Sequence, residues 1–201
     1  MNFKEFPVVT TILCVATVVL SFNANLAISA TFFGNIRVID LEPFGGLLPE
    51  HLLGLELWRL LVSNLIHAKQ LHMLYNVLSL FLLGYLLESK IGSGNFFVVW
   101  LISGAAGNLA GYYTVPAPWG IGTGGSAANF GLIACAISFY ISGIYRSKTM
   151  LLVILFTLMP ALILDVTFAS YHVPKVGHVV PFALSYLVCF FVFVRKYKSS
   201  C

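Results

Sequence analysis

Three short motifs contain the residues of this sequence that are best suited to chemistry. The first is HAKQLHMLYN at residues 67–76, which holds His67, His72 and Asn76. The second is GTGGSAANFGL at 122–132, where Ser126 follows two glycines, and the third is VGHVVPFALS at 176–185, which holds His178. A serine hydroxyl is a weak nucleophile until a neighbouring base takes its proton, and a neutral imidazole can be that base. Together the motifs contain the groups that nucleophilic catalysis needs.

Each motif also has a purely structural interpretation, which the residues alone leave open. Ser126 at a predicted helix start fits an N-cap, and a single histidine such as His178 can be held by a neighbouring helix. His72 and Asn76, four residues apart, share one helix face and fit hydrogen bonding between helices. On the same predicted helix His67 lies about 140° from His72 and is predicted to point elsewhere.

The residue pattern predicts neither a metal site nor a cofactor nor a nucleic-acid partner. The five-residue spacing of His67 and His72 suits a zinc site poorly, and no carboxylate accompanies the pair. The eleven Lys and Arg residues are scattered and form no basic stripe. The four cysteines lie far apart, without the spacing of a metal site or a disulfide framework; they are Cys14, Cys135, Cys189 and Cys201.

The composition places these motifs in a membrane protein. Hydrophobic residues make up 59 % of the 201 residues and charged residues 9 %, against about 45–50 % and 25 % in soluble domains. So few charges could not cover a soluble surface. Apolar runs, broken at the Pro- and Gly-rich stretch 114–125, predict one all-α, polytopic membrane domain over residues 1–201 with a lipid bilayer around it. Its six predicted helices cover 7–28, 65–87, 95–113, 126–145, 149–170 and 176–194, with an outer loop at 29–64.

Charge counting orients the predicted bundle. Seven Lys and Arg residues fall on the side that carries both termini and four on the other side, which predicts cytoplasmic termini. All five histidines, including His51 and His172, then fall on the outer side or in the outer half of a span. The predicted second, fourth and sixth helices all run inward, so the three motifs meet in one outer layer. There His178 could activate Ser126, while His72 and Asn76 could donate hydrogen bonds to a developing oxyanion.

These residues resemble the rhomboid family of intramembrane serine proteases, in its minimal six-helix bacterial form. The resemblance covers nearly the whole chain and rests on five features in the right order. They are Trp58-Arg59 in the outer loop, His67-x4-His72-x3-Asn76, Glu88 followed by Gly92-Ser93-Gly94, Gly124-Gly125-Ser126 followed by Phe130-Gly131-Leu132, and His178.

The resemblance implies a Ser126–His178 dyad without a third acid. It also implies an oxyanion hole formed by the Ser126 backbone N–H with the side chains of His72 and Asn76, and a Phe130 ring that packs on the base. His67 is more structural than catalytic in that family. The implied activity is cleavage of transmembrane segments of other membrane proteins near their outer ends, in the inner (plasma) membrane, with the active site open to the extracytoplasmic side.

Two other functions remain as alternatives, a catalytically silent relative that binds membrane helices and a small transporter. The sequence also departs from the family's pattern at two places. Ala127 replaces the glycine that usually follows the nucleophile, and Pro181 stands where the sixth helix usually has a glycine. Proline removes an amide and fixes φ, so a kink just after His178 is predicted, whereas Ser185 is small enough for close helix packing.

Overall fold

The computed structural model describes residues 6–167 and 175–195, and these residues form an all-helical bundle. We number its long helices α1 to α6; they cover Val8–Ser29, Gln70–Ile91, Ser93–Tyr112, Ser126–Ile141, Lys148–Thr167 and Val176–Val188. A π-helical turn, Cys189–Val194, continues α6. Each of the six predicted spans overlaps one long helix. Of the predicted domain, residues 1–5, 168–174 and 196–201 lie outside the described residues, and they include His172, Lys4, Lys196 and Lys198.

Four of these helices are long and apolar enough to cross a membrane: α1, α2, α5 and α6 with its π-helical turn. The protein is therefore a helical membrane protein. α4 is apolar but has only 16 residues, and α3 carries several Gly, Ser and Asn residues along its 20 positions. For α3 and α4, membrane crossing stays a prediction.

Three predicted boundaries are wrong by about one helical turn, and one of them is the end of the second helix, at Ile91 instead of 87. The second helix begins at Gln70 instead of 65, because Leu65 and Ile66 are buried without being helical. The fourth helix ends at Ile141 instead of 145, and Gly143 follows with φ +79°. A glycine with positive φ shortly after the last turn is a common helix stop.

The predicted outer loop, 29–64, contains short helices at Val38–Phe44, Pro49–Leu53 and Arg59–Val62. Arg59 is 8 % exposed and donates hydrogen bonds to the carbonyls of Glu42 (2.5 Å) and Gly46 (2.8 Å). Its guanidinium also lies 4.7 Å from the Trp58 ring centroid. The Trp-Arg motif thus holds the outer loop together.

α4 is the central helix, since every residue from Ala127 to Phe139 except Ile137 is buried. It packs closely against α3 and α6 where their residues are small. A Cβ atom added at Gly131 would overlap Ser103 on α3, and the hydroxyls of Ser103 and Ser185 lie 2.6 Å apart across the α3–α6 contact. Small side chains at these positions let three helix backbones approach one another.

Glu88 connects three helices at the end of the bundle where α1 begins and α2 ends. This buried carboxylate accepts hydrogen bonds from the backbone N–H groups of Val9 (3.0 Å) and Thr10 (2.8 Å), and from the hydroxyls of Thr10 (2.6 Å) and Ser93 (2.7 Å). Its charge therefore sits at the N-terminus of α1, where a negative group is favourable. The contacts tie α1, α2 and α3 together.

Candidate active site

Ser126 is the first residue of α4, at the end of a loop with a special backbone shape. Gly124 has φ +89°, a value that favours glycine, and its N–H donates to the Ser63 carbonyl at 2.7 Å. Gly125 is the N-cap residue, and no side chain caps the helix. The Ser126 hydroxyl instead lies 2.9 Å from Nε2 of His178. The N-cap interpretation of Ser126 is therefore wrong.

His178 lies in the first turn of α6 and is held from several sides. The Phe130 ring of α4 stacks on the imidazole, with centroids 4.4 Å apart and an angle of 15° between the planes. α6 continues without a break from Val176 to Val188 through Pro181, so the proline does not prevent the contact with Ser126. The predicted packing of Phe130 on this histidine is confirmed as geometry.

A carboxylate, Asp165 near the C-terminus of α5, completes the surroundings of the imidazole. Its Oδ2 lies 2.6 Å from Nδ1 of His178, and its Oδ1 lies 3.3 Å from Nζ of Lys175. The resemblance implied a dyad without a third acid, whereas in this chain a carboxylate contacts the imidazole. The sequence analysis overlooked this residue, although an acid inside a predicted span, here 149–170, is itself a signal of function.

His67 supports the loop that precedes the serine. It lies three residues before α2, so the helix-angle argument for its direction is wrong, and its ring centroid is 5.8 Å from that of His72. The Gly125 N–H donates to His67 Nε2 at 3.1 Å, and the Ser21 hydroxyl lies 3.4 Å from Nδ1. With 2 % of its surface exposed, His67 is placed to fix the loop.

His72 and Asn76 lie on one face of α2, beside the serine. The Asn76 amide donates to the His72 carbonyl at 2.9 Å. Nδ2 of Asn129 on α4 donates to the backbone carbonyl oxygen of Asn76 and to its side-chain oxygen, at 3.0 Å each. Hydrogen bonding between helices is therefore present at Asn76. One of the two N–H bonds of its amide is used within α2.

Two cavities meet at Ser126 and His178, which line both. The smaller, of about 180 Å³, is bordered by α3, the loop before α4 and the start of α6. The larger, of about 530 Å³, lies among α2, α4, α5 and α6 and is lined by His72, Asn76 and Asp165. Ser126 therefore borders space that another molecule could occupy.

Backbone hydrogen bonds connect the outer loop to the loop that precedes Ser126. Leu47 and Gly122 exchange two backbone hydrogen bonds of 2.9 Å each, so the outer loop pairs with the stretch just before Gly124. A Cβ atom added at Gly124 would lie 3.3 Å from the His67 ring. The Trp-Arg motif thus belongs to the scaffold of the site, through Gly46 and Leu47.

Comparison with known proteins agrees with this arrangement. The family model described as the Rhomboid domain matches residues 54–195, which include every motif residue named above. The chain belongs to the rhomboid family. It is 34 % identical over 136 residues to a Bacillus subtilis (strain 168) protein named as a rhomboid protease, YdcA, covering 65 % of this chain and 63 % of that protein.

Other rhomboid relatives are similar over shorter parts of their length. RHOMBOID-like protein 1 of Arabidopsis thaliana is 32 % identical over 143 residues, which is 70 % of this chain and 36 % of that protein. The relative named Inactive RHOMBOID-like protein 8, also from Arabidopsis thaliana, is 33 % identical over 105 residues, 51 % of this chain and 29 % of that protein. This chain spans less than two thirds of the length of these rhomboid relatives.

Proposed function

We propose that this rhomboid protein is an intramembrane serine endopeptidase that cleaves transmembrane segments of membrane proteins near their extracytoplasmic ends. The observation that carries the proposal is the 2.9 Å contact between the Ser126 hydroxyl and Nε2 of His178. This is the distance at which an imidazole can take the proton of a serine during attack. Relatives named as rhomboid proteases support the same class of activity.

The proposed reaction starts with attack of Ser126 Oγ on the carbonyl carbon of the scissile peptide bond. The hydroxyl proton passes to His178 Nε2, and the carbonyl oxygen becomes an oxyanion. When the C–N bond breaks, His178 returns the proton to the leaving amine, and an acyl ester remains on Ser126. A water molecule, deprotonated by His178, then hydrolyses the ester and frees the serine.

The proposed oxyanion hole uses groups of α2 and α4. The backbone N–H of Ser126 is at a helix start, where N–H groups lack helical partners. Asn76, whose amide has a second N–H, and His72 both line the larger cavity, and we propose them as the side-chain donors. Donors fixed in a site of this kind contribute about 2.7–4 kcal/mol each to lowering the barrier.

The proposed placement in the membrane follows from helix direction and charge. Ser126, His72 and His178 each lie in the first turn of their helix, and Asp165 lies near the end of α5. Six alternating spans would put these ends on one side. With cytoplasmic termini in the inner (plasma) membrane, that side is extracytoplasmic. The proposed partners are transmembrane protein substrates and the surrounding lipid bilayer.

A fluorophosphonate probe, which phosphonylates activated serines, tests this proposal in detergent. We expect labelling of the parent protein at Ser126 and none in Ser126→Ala. Because one rhomboid relative is named as inactive, a silent helix-binding protein is the second candidate. It would bind a transmembrane peptide without reacting with the probe. The family assignment leaves the transporter alternative without support.

A further inference from the structure

Asp165 and Ser126 contact opposite nitrogen atoms of the His178 ring. Asp165 Oδ2 lies 2.6 Å from His178 Nδ1, while the other ring nitrogen, Nε2, lies 2.9 Å from Ser126 Oγ. The three residues come from three different helices, α5, α6 and α4. A line of hydrogen-bonding groups therefore runs from the carboxylate through the imidazole to the serine.

The carboxylate determines which ring nitrogen carries the proton. An ionised carboxylate can only accept hydrogen bonds, so the neutral imidazole must carry its hydrogen on Nδ1. Nε2 is then an acceptor, directed at the Ser126 hydroxyl. This is the tautomer that a general base requires at Nε2, and the opposite tautomer would have no lone pair there.

The position of Asp165 also suits the charge that forms during the reaction. The side chain of Asp165 is 8 % exposed, whereas that of Lys175 is 43 % exposed. The Nζ atom of Lys175 lies 3.3 Å from Oδ1, the carboxylate oxygen that does not contact His178. Solvent therefore screens the lysine charge more than the carboxylate charge. When His178 takes the serine proton, the new positive charge lies against the buried carboxylate.

We propose that Asp165 is a positioning residue, which holds His178 in the base-competent tautomer and orientation and makes the site a Ser–His–Asp arrangement. The inference rests on the proposed function of Ser126 and His178. It adds an acid from α5 to a site otherwise formed by α2, α4 and α6. Phe130 fixes the plane of the ring, and Asp165 fixes the rotation within that plane.

Asp165→Asn tests the proposal, because it keeps the size of the side chain and removes its charge. In a soluble serine protease the corresponding change lowers kcat by about 10⁴. We expect the rate of fluorophosphonate labelling and kcat for a transmembrane substrate to fall at least about tenfold, with KM changing by less than about threefold. Thermal unfolding of each variant in detergent separates this loss from misfolding. A fall of less than tenfold in a folded variant would overturn the proposal.

Lys175→Gln separates positioning of the base from a simple ion pair. If the Asp165–Lys175 pair matters only for holding the start of α6, both substitutions should slow labelling equally, and that result would overturn the proposal. We expect the Asp165→Asn variant to be labelled at least about fivefold more slowly than the Lys175→Gln variant.

The pH profile gives a readout that a structural role would not move. Among the described residues, the charged or titratable groups near the His178 ring are Asp165 and Lys175. Three more line the larger cavity with it, namely His72, Lys69 and Tyr75. Asp165→Asn removes a negative charge 2.6 Å from the ring. The residual activity of this variant should therefore persist to lower pH than that of the parent, and an unmoved acid limb would contradict the proposal.

Failure of this inference is distinguishable from failure of the proposed function. If Ser126 is not labelled in the parent protein, the proposed function is wrong. If Ser126 is labelled at the same rate with Asp165 and with Asn at that position, only the positioning role is wrong.

Discussion

A methyl group added at Gly107 would collide with two helices at once. A Cβ atom there would overlap the Gly177 carbonyl oxygen on α6 and the Ala127 side chain on α4. Both contacts would be about 1 Å shorter than the distance of about 3.5 Å at which carbon atoms pack. Because one of the two obstacles is backbone, the helices must separate to accept the methyl group.

The expected cost of Gly107→Ala has two parts. Overpacking in a close-packed interior costs about 1–3 kcal/mol, whereas replacing glycine by alanine inside a helix gains up to about 1 kcal/mol. Gly94→Ala is the matched control, because it lies on the same helix and a Cβ there meets nothing within 4 Å. We therefore expect Gly107→Ala to be about 1–3 kcal/mol less stable than Gly94→Ala in unfolding from detergent.

Activity should fall with the same substitution, since Gly177 precedes His178 and Ala127 follows Ser126. A shift of about 1 Å between α4 and α6 would disturb the 2.9 Å contact of the proposed base and nucleophile. Misplacement of that size costs about 10²-fold in rate. Cleavage of a transmembrane substrate in proteoliposomes measures this loss. Equal stability and equal activity of Gly107→Ala and Gly94→Ala would refute the reasoning about helix packing.

Three further predictions concern the histidines and the amide of the site. Asn76→Ala and His72→Ala should each lower kcat by about 10²–10³, since backbone donors remain in the oxyanion hole; a change below tenfold for both would exclude this role. His67→Ala leaves the buried Gly125 N–H without its acceptor, so the midpoint of thermal unfolding should fall, by an amount that reflects about 1–3 kcal/mol, and more clearly than turnover. Cleavage should decrease as the pH falls, because a protonated His178 imidazole cannot act as a base. The His178→Ala variant should be as inactive as Ser126→Ala. A rate that is constant from about pH 5 to 8, together with an active His178→Ala protein, would contradict the base assignment.

The sequence predicted the main parts of the site because its motifs are local and its helix directions are countable. Ser126 and His178 are each recognisable from their neighbours, and the predicted alternation of spans places them in one predicted layer. In the structure their side chains lie 2.9 Å apart. Burial and helix formation are different properties, however. Leu65 and Ile66 continue an apolar run and are buried, yet they lie outside α2. The apolar pattern therefore extended the predicted helix too far, and the direction predicted for the His67 side chain was wrong because His67 is not on that helix.

Asp165 could not be assigned from pattern alone. No motif surrounds it, and its contact with His178 depends on how α5 packs beside α6, which is a property of the whole bundle. The effect of Pro181 on the site shows the same limit, because α6 continues through the proline and His178 still contacts Ser126. The proline removes one amide from α6, yet small residues at Gly107, Gly131 and Ser185 determine how close the helices lie.

Cleavage of a transmembrane substrate by the parent protein and by Ser126→Ala, reconstituted side by side in proteoliposomes, tests the central claim most directly. The measurement is the initial rate of product formation, with thermal unfolding used to show that the variant is folded. The account predicts that loss of the nucleophile lowers the rate by several orders of magnitude, about 10⁴–10⁶ as in soluble serine enzymes. Cleavage by a folded Ser126→Ala protein within about tenfold of the parent rate would contradict it.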